Sequence, residues 1–133
     1  MEEKIPNSDF LIENLKNVLS DETYGYASSV ITYCETQSLT YTYVGMAELR
    51  DALTHIHRAL FATDKDKISI EMVSVREHIR RAAVESMQEY VETKYFQIRR
   101  RILSSPMKLL FTGRKIDWEA VKQSEKAIKI NIL

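Results

Sequence analysis

The sequence predicts an all-α protein, an antiparallel helical bundle of four to five helices with one long helix over about residues 68–103. Apolar residues recur at spacings of three and four along most of the chain, which is the period of an amphipathic helix. Only three Gly and two Pro occur in 133 residues, too few for the many turns of a β-sandwich or barrel. The length fits a single bundle domain over residues 1–133, and a 44% hydrophobic share can supply its core.

The first two helices are marked by start signals. Ser8 is a good N-cap, and the segment that follows carries an apolar face. A second helix is predicted over residues 22–37, although Gly25 lies inside it. Residues 38–44 alternate Thr with bulky side chains, so propensity favours an extended linker or a short hairpin arm there.

The third helix is predicted over residues 45–62. Its apolar stripe is regular and comprises Met46, Leu49, Leu53, Ile56 and Leu60. A polar turn over residues 63–67 follows, so the third and fourth helices are expected to be antiparallel neighbours.

The long fourth helix contains no Gly or Pro, and Pro106 ends it. Its first apolar positions are Met72, Val75, Ile79, Ala83 and Tyr90. The stripe then shifts by about a quarter turn to Val84, Met87, Val91, Ile98 and Ile102. The far end therefore packs against something else, and we predict a homodimer. A last helix is predicted from about Asp117 to the C-terminus.

The composition limits the cellular compartments in which we expect the protein. Cys34 is the only cysteine, so no internal disulfide is possible, and its apolar flanks suggest a structural thiol rather than a nucleophile. The N-terminus has no apolar run typical of a signal peptide. No segment approaches the roughly 20 apolar residues of a membrane span. We expect a cytoplasmic protein with no membrane association.

Charge is unevenly spread although the net charge is zero. Residues 1–66 carry five Lys/Arg and eleven Asp/Glu, a net of −6, and residues 67–133 carry fourteen and eight, a net of +6. Such asymmetry can mark a surface that binds anions or nucleic acid, and the candidate nucleic-acid-binding residues are Lys94, Arg99, Arg100 and Arg101. The alternative is that the two halves attract each other, within one chain or across a dimer.

No metal or cofactor site is predicted. The three histidines are His55, His57 and His78, and none has the i, i+4 partner of helical zinc sites. No glycine-rich phosphate loop occurs. His78 is expected on a solvated face beside Arg81 and Glu85.

Arg50, His55 and His57 are the candidate catalytic residues. On a helical wheel, Arg50 and His57 lie on the same flank of the third helix, whereas His55 points to the opposite side. A histidine can take the proton of a ribose 2′-hydroxyl or protonate the leaving oxygen, and an arginine can stabilise charge on the phosphate. The alternative is that Arg50 pairs with an acidic neighbour and His57 hydrogen-bonds at the rim of the core.

These residues resemble the HEPN superfamily, whose ribonuclease members carry Arg, four to six residues, then His. Arg50 to His55 spans four residues beginning with a polar Asp51, and Arg50 to His57 spans six. The resemblance covers about residues 45–103. It implies a dimerising bundle in which paired Arg/His motifs face each other across a cleft.

Two functions from different classes follow from these observations, beside the alternative of a structural bundle with no ligand. The first is a HEPN-like, metal-independent endoribonuclease of a toxin–antitoxin or phage-defence system, with Arg50 on the phosphate and His55 or His57 as the acid/base. The second is a non-catalytic helical interaction module that binds a protein partner or nucleic acid. The two are distinguished by whether Arg50 and a histidine share a cleft open to solvent.

Overall fold

The computed structural model describes residues 7–104 and, further along, positions 119, 122, 123 and 126. Helix makes up 89% of these residues, which contain no strand, and this confirms the all-α prediction. The elements are α1 (Ser8–Val18), a π-helical turn (Asp21–Gly25), α2 (Tyr26–Ser38), α3 (Tyr43–Leu60) and α4 (Lys65–Ser104). The helix predicted from Asp117 lies outside the described residues, apart from those four positions.

The chain divides into two compact units, Met1–Tyr90 and Val91–Leu133. The first unit contains α1, the π turn, α2, α3 and most of α4. Its core is formed by buried side chains of all four helices, among them Leu11, Ala27, Ala52 and Ile79. The second unit contains the rest of α4.

Helices α3 and α4 are antiparallel, since His55 contacts Glu71 and Glu48 contacts His78, and they meet along a seven-residue pattern. The buried positions of α3 are spaced seven apart and are all small: Gly45, Ala52 and Ala59. Six buried positions of α4 alternate spacings of four and three: Ile68, Met72, Val75, Ile79, Ala82 and Ser86; Ala83, beside Ala82, is also buried. This is the spacing of a coiled-coil seam. A Cβ added at Gly45 would overlap the Ser86 Oγ, so the glycine permits the close approach of the two helices there.

The core stripe predicted for α3 is wrong at two positions. Met46 is 54% exposed and Leu53 is 65% exposed, while Leu49, Ile56 and Leu60 are partly buried. The seam is centred about one residue position away, on the small residues. Bulky apolar side chains give the strongest signal in a hydrophobic periodicity. The predicted stripe of α3 therefore follows the edge of the α3–α4 interface rather than its centre.

The linker predicted over residues 38–44 is shorter in the structure. Helix α2 continues to Ser38 and α3 begins at Tyr43. Thr42 fixes this tight connection, since its backbone N–H donates to the Glu35 carboxylate at 3.2 Å and its hydroxyl accepts from Ser86 Oγ at 3.2 Å. These tertiary bonds outweigh the extended propensity of the alternating Thr residues.

Helix α4 begins three residues earlier than predicted. The Asp64 carboxylate accepts a hydrogen bond from the backbone N–H of Asp66 at 3.1 Å, which is the bond of an N-cap residue.

The second apolar stripe of α4 is exposed in this single chain at Val84, Met87, Val91, Ile98 and Ile102. Within the described residues, no helix combines the length and the apolar character that crossing a membrane requires.

Candidate functional site

Two histidine–glutamate pairs join α3 to α4. The His55 Nδ1 lies 2.6 Å from the Glu71 Oε2, and the His78 Nδ1 lies 2.6 Å from the Glu48 Oε2. Each pair takes its histidine from one helix and its glutamate from the other. The two imidazole rings stack with centroids 5.1 Å apart and planes inclined by 24°. We call these four residues the double dyad.

The double dyad follows from helix geometry. Glu48 and His55 are seven residues apart on α3, and Glu71 and His78 are seven apart on α4. In antiparallel helices the order reverses, so each glutamate meets the histidine of the other helix. All four residues flank the same side of the seam, where charged residues of paired helices commonly meet.

The carboxylates fix the proton position on each ring. An ionised carboxylate only accepts hydrogen bonds, so each Nδ1–H is the donor of the hydrogen bond to its glutamate. In the neutral ring the Nε2 is then the basic nitrogen, an arrangement that orients histidines in catalytic dyads. The side chains are 20% exposed at His55 and 18% at His78, so water reaches both rings only partly.

The prediction for His78 is wrong. Rather than facing solvent, its ring is half-buried and bound by Glu48. A helical wheel of α4 alone places His78 beside charged residues of the same helix. It does not include the Glu48 carboxylate, which α3 brings to the His78 ring. Nothing in the composition near His78 signals this contact, but the repeated Glu-x6-His spacing on neighbouring helices does.

Glu85 lies one heptad beyond His78. Burial raises the pKa of the Glu85 carboxyl above its ordinary value, the negative charge of Glu48 raises it further, and the guanidinium of Arg81 partly offsets both. Glu85 is therefore easier to protonate than a solvated carboxyl.

Arg50 and His57 are both exposed on α3. The Arg50 Nε lies 3.4 Å from the Asp51 Oδ1, and the arginine side chain is 75% exposed. The His57 ring packs against Phe61 with centroids 5.0 Å apart. Seven residues of helix separate Arg50 from His57 by roughly 10 Å along the axis, on one flank. His55, in contrast, faces α4 and is bound by Glu71.

An apolar groove of about 290 Å³ lies beside Arg50. We call it the first groove. Its lining includes the exposed side chains of Leu19, Met46 and Leu53, and among the described residues Arg50 is the only charged one that lines it. The π turn contributes Tyr24 to this groove.

The predicted basic residues of the second unit lie on α4. Arg100 and Arg101 are exposed, while Lys94 and Arg99 are half-buried. Lys94, Arg99 and Arg101 each interact with another group of the chain.

Cys34 is fully buried. Burial raises the pKa of its thiol, a backbone hydrogen bond lowers it, and the negative charges of Glu35 and Glu89 raise it. Such a thiol stays protonated at neutral pH, which agrees with a structural rather than a nucleophilic residue.

Among the residues that the structure describes, no group of three or more His, Cys, Asp or Glu side chains is arranged to hold a metal ion.

Comparison with known proteins gave no match, whether to a family model, to a curated protein or to a solved structure.

Proposed function

We propose that this chain is a HEPN-like, metal-independent endoribonuclease of the kind found in toxin–antitoxin and phage-defence systems. The observation that carries the proposal is that Arg50 and His57 are both exposed on one flank of α3. Arg50 binds the scissile phosphate and stabilises its negative charge in the transition state. His57 exchanges the proton of the 2′-hydroxyl or of the leaving oxygen.

His55 takes a different part in this proposal. Its Nδ1–H is held by Glu71 and its ring is largely covered. We propose that His55 positions α3 against α4. This contact orients the side of α3 that carries Arg50 and His57. The four-residue spacing from Arg50 to His55 also fits the family pattern, so a His55 variant belongs in the same assay.

The active form in this proposal is a homodimer formed through the second apolar stripe of α4. Those side chains are exposed in the single chain, Ile98 at 58%. The opposite net charges of residues 1–66 and 67–133 favour the approach of a second copy. Ile98→Glu is expected to shift sedimentation equilibrium to monomer, whereas Ile70→Glu, at an exposed site outside the stripe, leaves the dimer intact. A wild-type chain that is monomeric at micromolar concentration contradicts this part.

Lys94, Arg99, Arg100 and Arg101 hold the RNA backbone in this proposal. Each phosphate contact contributes about 0.7 to the slope of log affinity against log salt for a single strand. Replacing Arg99, Arg100 and Arg101 by Gln is expected to flatten that slope. An unchanged slope would mean that the segment is structural.

The test of catalysis is RNA cleavage by purified protein in EDTA. Arg50→Ala and His57→Ala are each expected to lower the rate by about 100-fold, the usual scale for losing a positioned acid/base or a charge-stabilising partner. Arg58→Ala is the matched control, because Arg58 is exposed on the same helix and next to His57. Variants that cleave as fast as the control would overturn the assignment.

The first groove favours a second candidate function, a non-catalytic module that binds a protein partner. Its apolar lining and the arginine at its edge suit an amphipathic helix with a carboxylate facing Arg50. A synthetic amphipathic Leu/Glu peptide is then expected to bind more tightly than its Leu/Lys counterpart, and Leu53→Asp to abolish that binding. Equal binding of the two peptides, or none, would count against this function.

A further inference from the structure

A second groove, of about 360 Å³, lies on the α4 side of the π turn. Glu22, Thr23 and Tyr26 line it from the π turn and α2, and Arg76, Arg80 and Val84 line it from α4. We call it the second groove. The π turn thus contributes residues to both grooves, Tyr24 to the first and Glu22 and Thr23 to the second.

The two arginines of the second groove have no partner among the residues that the structure describes. Arg76 and Arg80 are exposed and one helical turn apart, so their like charges repel each other. Glu22 also lines the groove, yet it forms no ion pair with either arginine in the described part of the chain. Both guanidinium groups therefore keep their donors for an external anion, and an anion between them would relieve the repulsion.

The rest of the lining suits a phosphate attached to a flat ring. Thr23 and Tyr26, which also line the groove, carry hydroxyl groups that can donate further hydrogen bonds. The Tyr26 side chain is 65% exposed, so its aromatic face is open to a stacking partner. Nucleic-acid bases stack on such rings while the neighbouring phosphate pairs with arginine.

We propose that the second groove binds single-stranded RNA, with one backbone phosphate between Arg76 and Arg80 and a base stacked on Tyr26. This binding site is separate from Lys94 and Arg99–Arg101, and it lies on the unit that carries Arg50 and His57. The inference rests on the proposed function for the class of its ligand, since a ribonuclease must hold the strand that it cuts.

The test is fluorescence anisotropy with a 2′-O-methyl oligonucleotide, which is single-stranded and lacks the attacking hydroxyl. Arg76→Gln combined with Arg80→Gln is expected to weaken binding and to lower the salt slope by roughly 0.7, the contribution of the one phosphate that the two arginines share. The matched control combines Arg58→Gln with Lys67→Gln, which removes the same charge from exposed positions outside the groove. Tyr26→Leu is expected to weaken binding at least about fivefold, whereas Tyr43→Leu, at an exposed position elsewhere, does not.

The outcomes separate this inference from the proposed function. If the groove variants bind with the control's affinity and slope, the inference fails, whatever the cleavage assay gives. If they lose binding while the wild-type chain cuts no RNA, the groove is an RNA site and the ribonuclease proposal fails alone. If a phosphoserine peptide displaces the oligonucleotide at lower concentration than unlabelled RNA does, the groove is a phosphopeptide site and the RNA assignment is overturned.

Discussion

The imidazole rings of His55 and His78 stack across the α3–α4 interface, and each ring donates its Nδ1–H to a glutamate of the opposite helix. The contact consists of two equivalent halves, because each helix supplies one donor and one acceptor. Removing one residue of a pair leaves its half-buried partner without a hydrogen bond. The loss of folding free energy is then larger than the contribution of the bond itself.

We therefore expect His55→Ala to lower the free energy of unfolding by about 1–3 kcal/mol, the usual cost of an unsatisfied polar group. His57→Ala is the control, because the His57 ring is exposed, and it should change stability by less than about 0.5 kcal/mol. Urea denaturation followed by circular dichroism measures both. A double-mutant cycle of His55→Ala and Glu71→Ala should show coupling between the two positions. Equal stability of the two single histidine variants would mean that the double dyad does not hold the helices together.

Glu85 gives a pH-dependent prediction. Its folded-state pKa is raised, so its contribution to stability is present below its ordinary pKa and is lost as pH rises through the folded-state pKa. Glu85→Gln, which cannot ionise, should raise the thermal midpoint at pH 7, and the gain should shrink as pH falls towards 4. Glu77→Gln, at an exposed position on the same helix, should show no such trend. A stabilisation by Glu85→Gln that grows at low pH would contradict the raised pKa.

Gly45 tests the close approach of α3 and α4. A methyl group there would overlap the hydroxyl oxygens of Ser86 and Thr42 and lie 3.3 Å from the Ala82 carbonyl oxygen, so the two buried hydroxyls must move and their hydrogen bond is disturbed. Gly45→Ala should destabilise the fold by about 1–3 kcal/mol, the usual cost of overpacking. At Gly25 the nearest atom is the flexible Asp21 carboxylate, 3.2 Å away, so Gly25→Ala should cost less. Thermal denaturation measures the stability of both variants. If Gly45→Ala is no less stable than the wild-type chain, α3 and α4 do not need a glycine at their close approach.

The sequence predicted the helices well and the helix-to-helix contacts poorly. Local periodicity and the polar turn after Ala62 sufficed for α3, α4 and their antiparallel order. The centre of the seam was missed because Gly45 and Ala52 are small residues that carry little hydrophobic signal. The role of His78 was missed for a different reason, since its partner Glu48 is 30 residues away and only the register of the two helices brings them together.

Cys34 should be nearly inert in the folded chain. It is fully buried and its thiol pKa is raised, and only the thiolate reacts with a disulfide reagent. Ellman's reagent should modify it slowly in buffer and completely in urea. A chain that carries Cys34→Ala and Thr36→Cys moves the thiol to an exposed position and should react at once without urea. Rapid modification of the native wild-type chain would show that α2 opens readily.

The measurement that tests the ribonuclease proposal most directly uses an oligonucleotide with a single ribose in an otherwise deoxy strand. Arg50 and His57 supply a phosphate partner and an acid/base but no nucleophile, so the attacking group is the 2′-hydroxyl of the substrate. The account predicts cleavage after that ribose alone, in EDTA, leaving a 2′,3′-cyclic phosphate or a 3′-phosphate. It also predicts that the all-deoxy strand stays intact. Absence of cleavage at every pH from 6 to 8 across varied sequences, or cleavage of the all-deoxy strand, would contradict it.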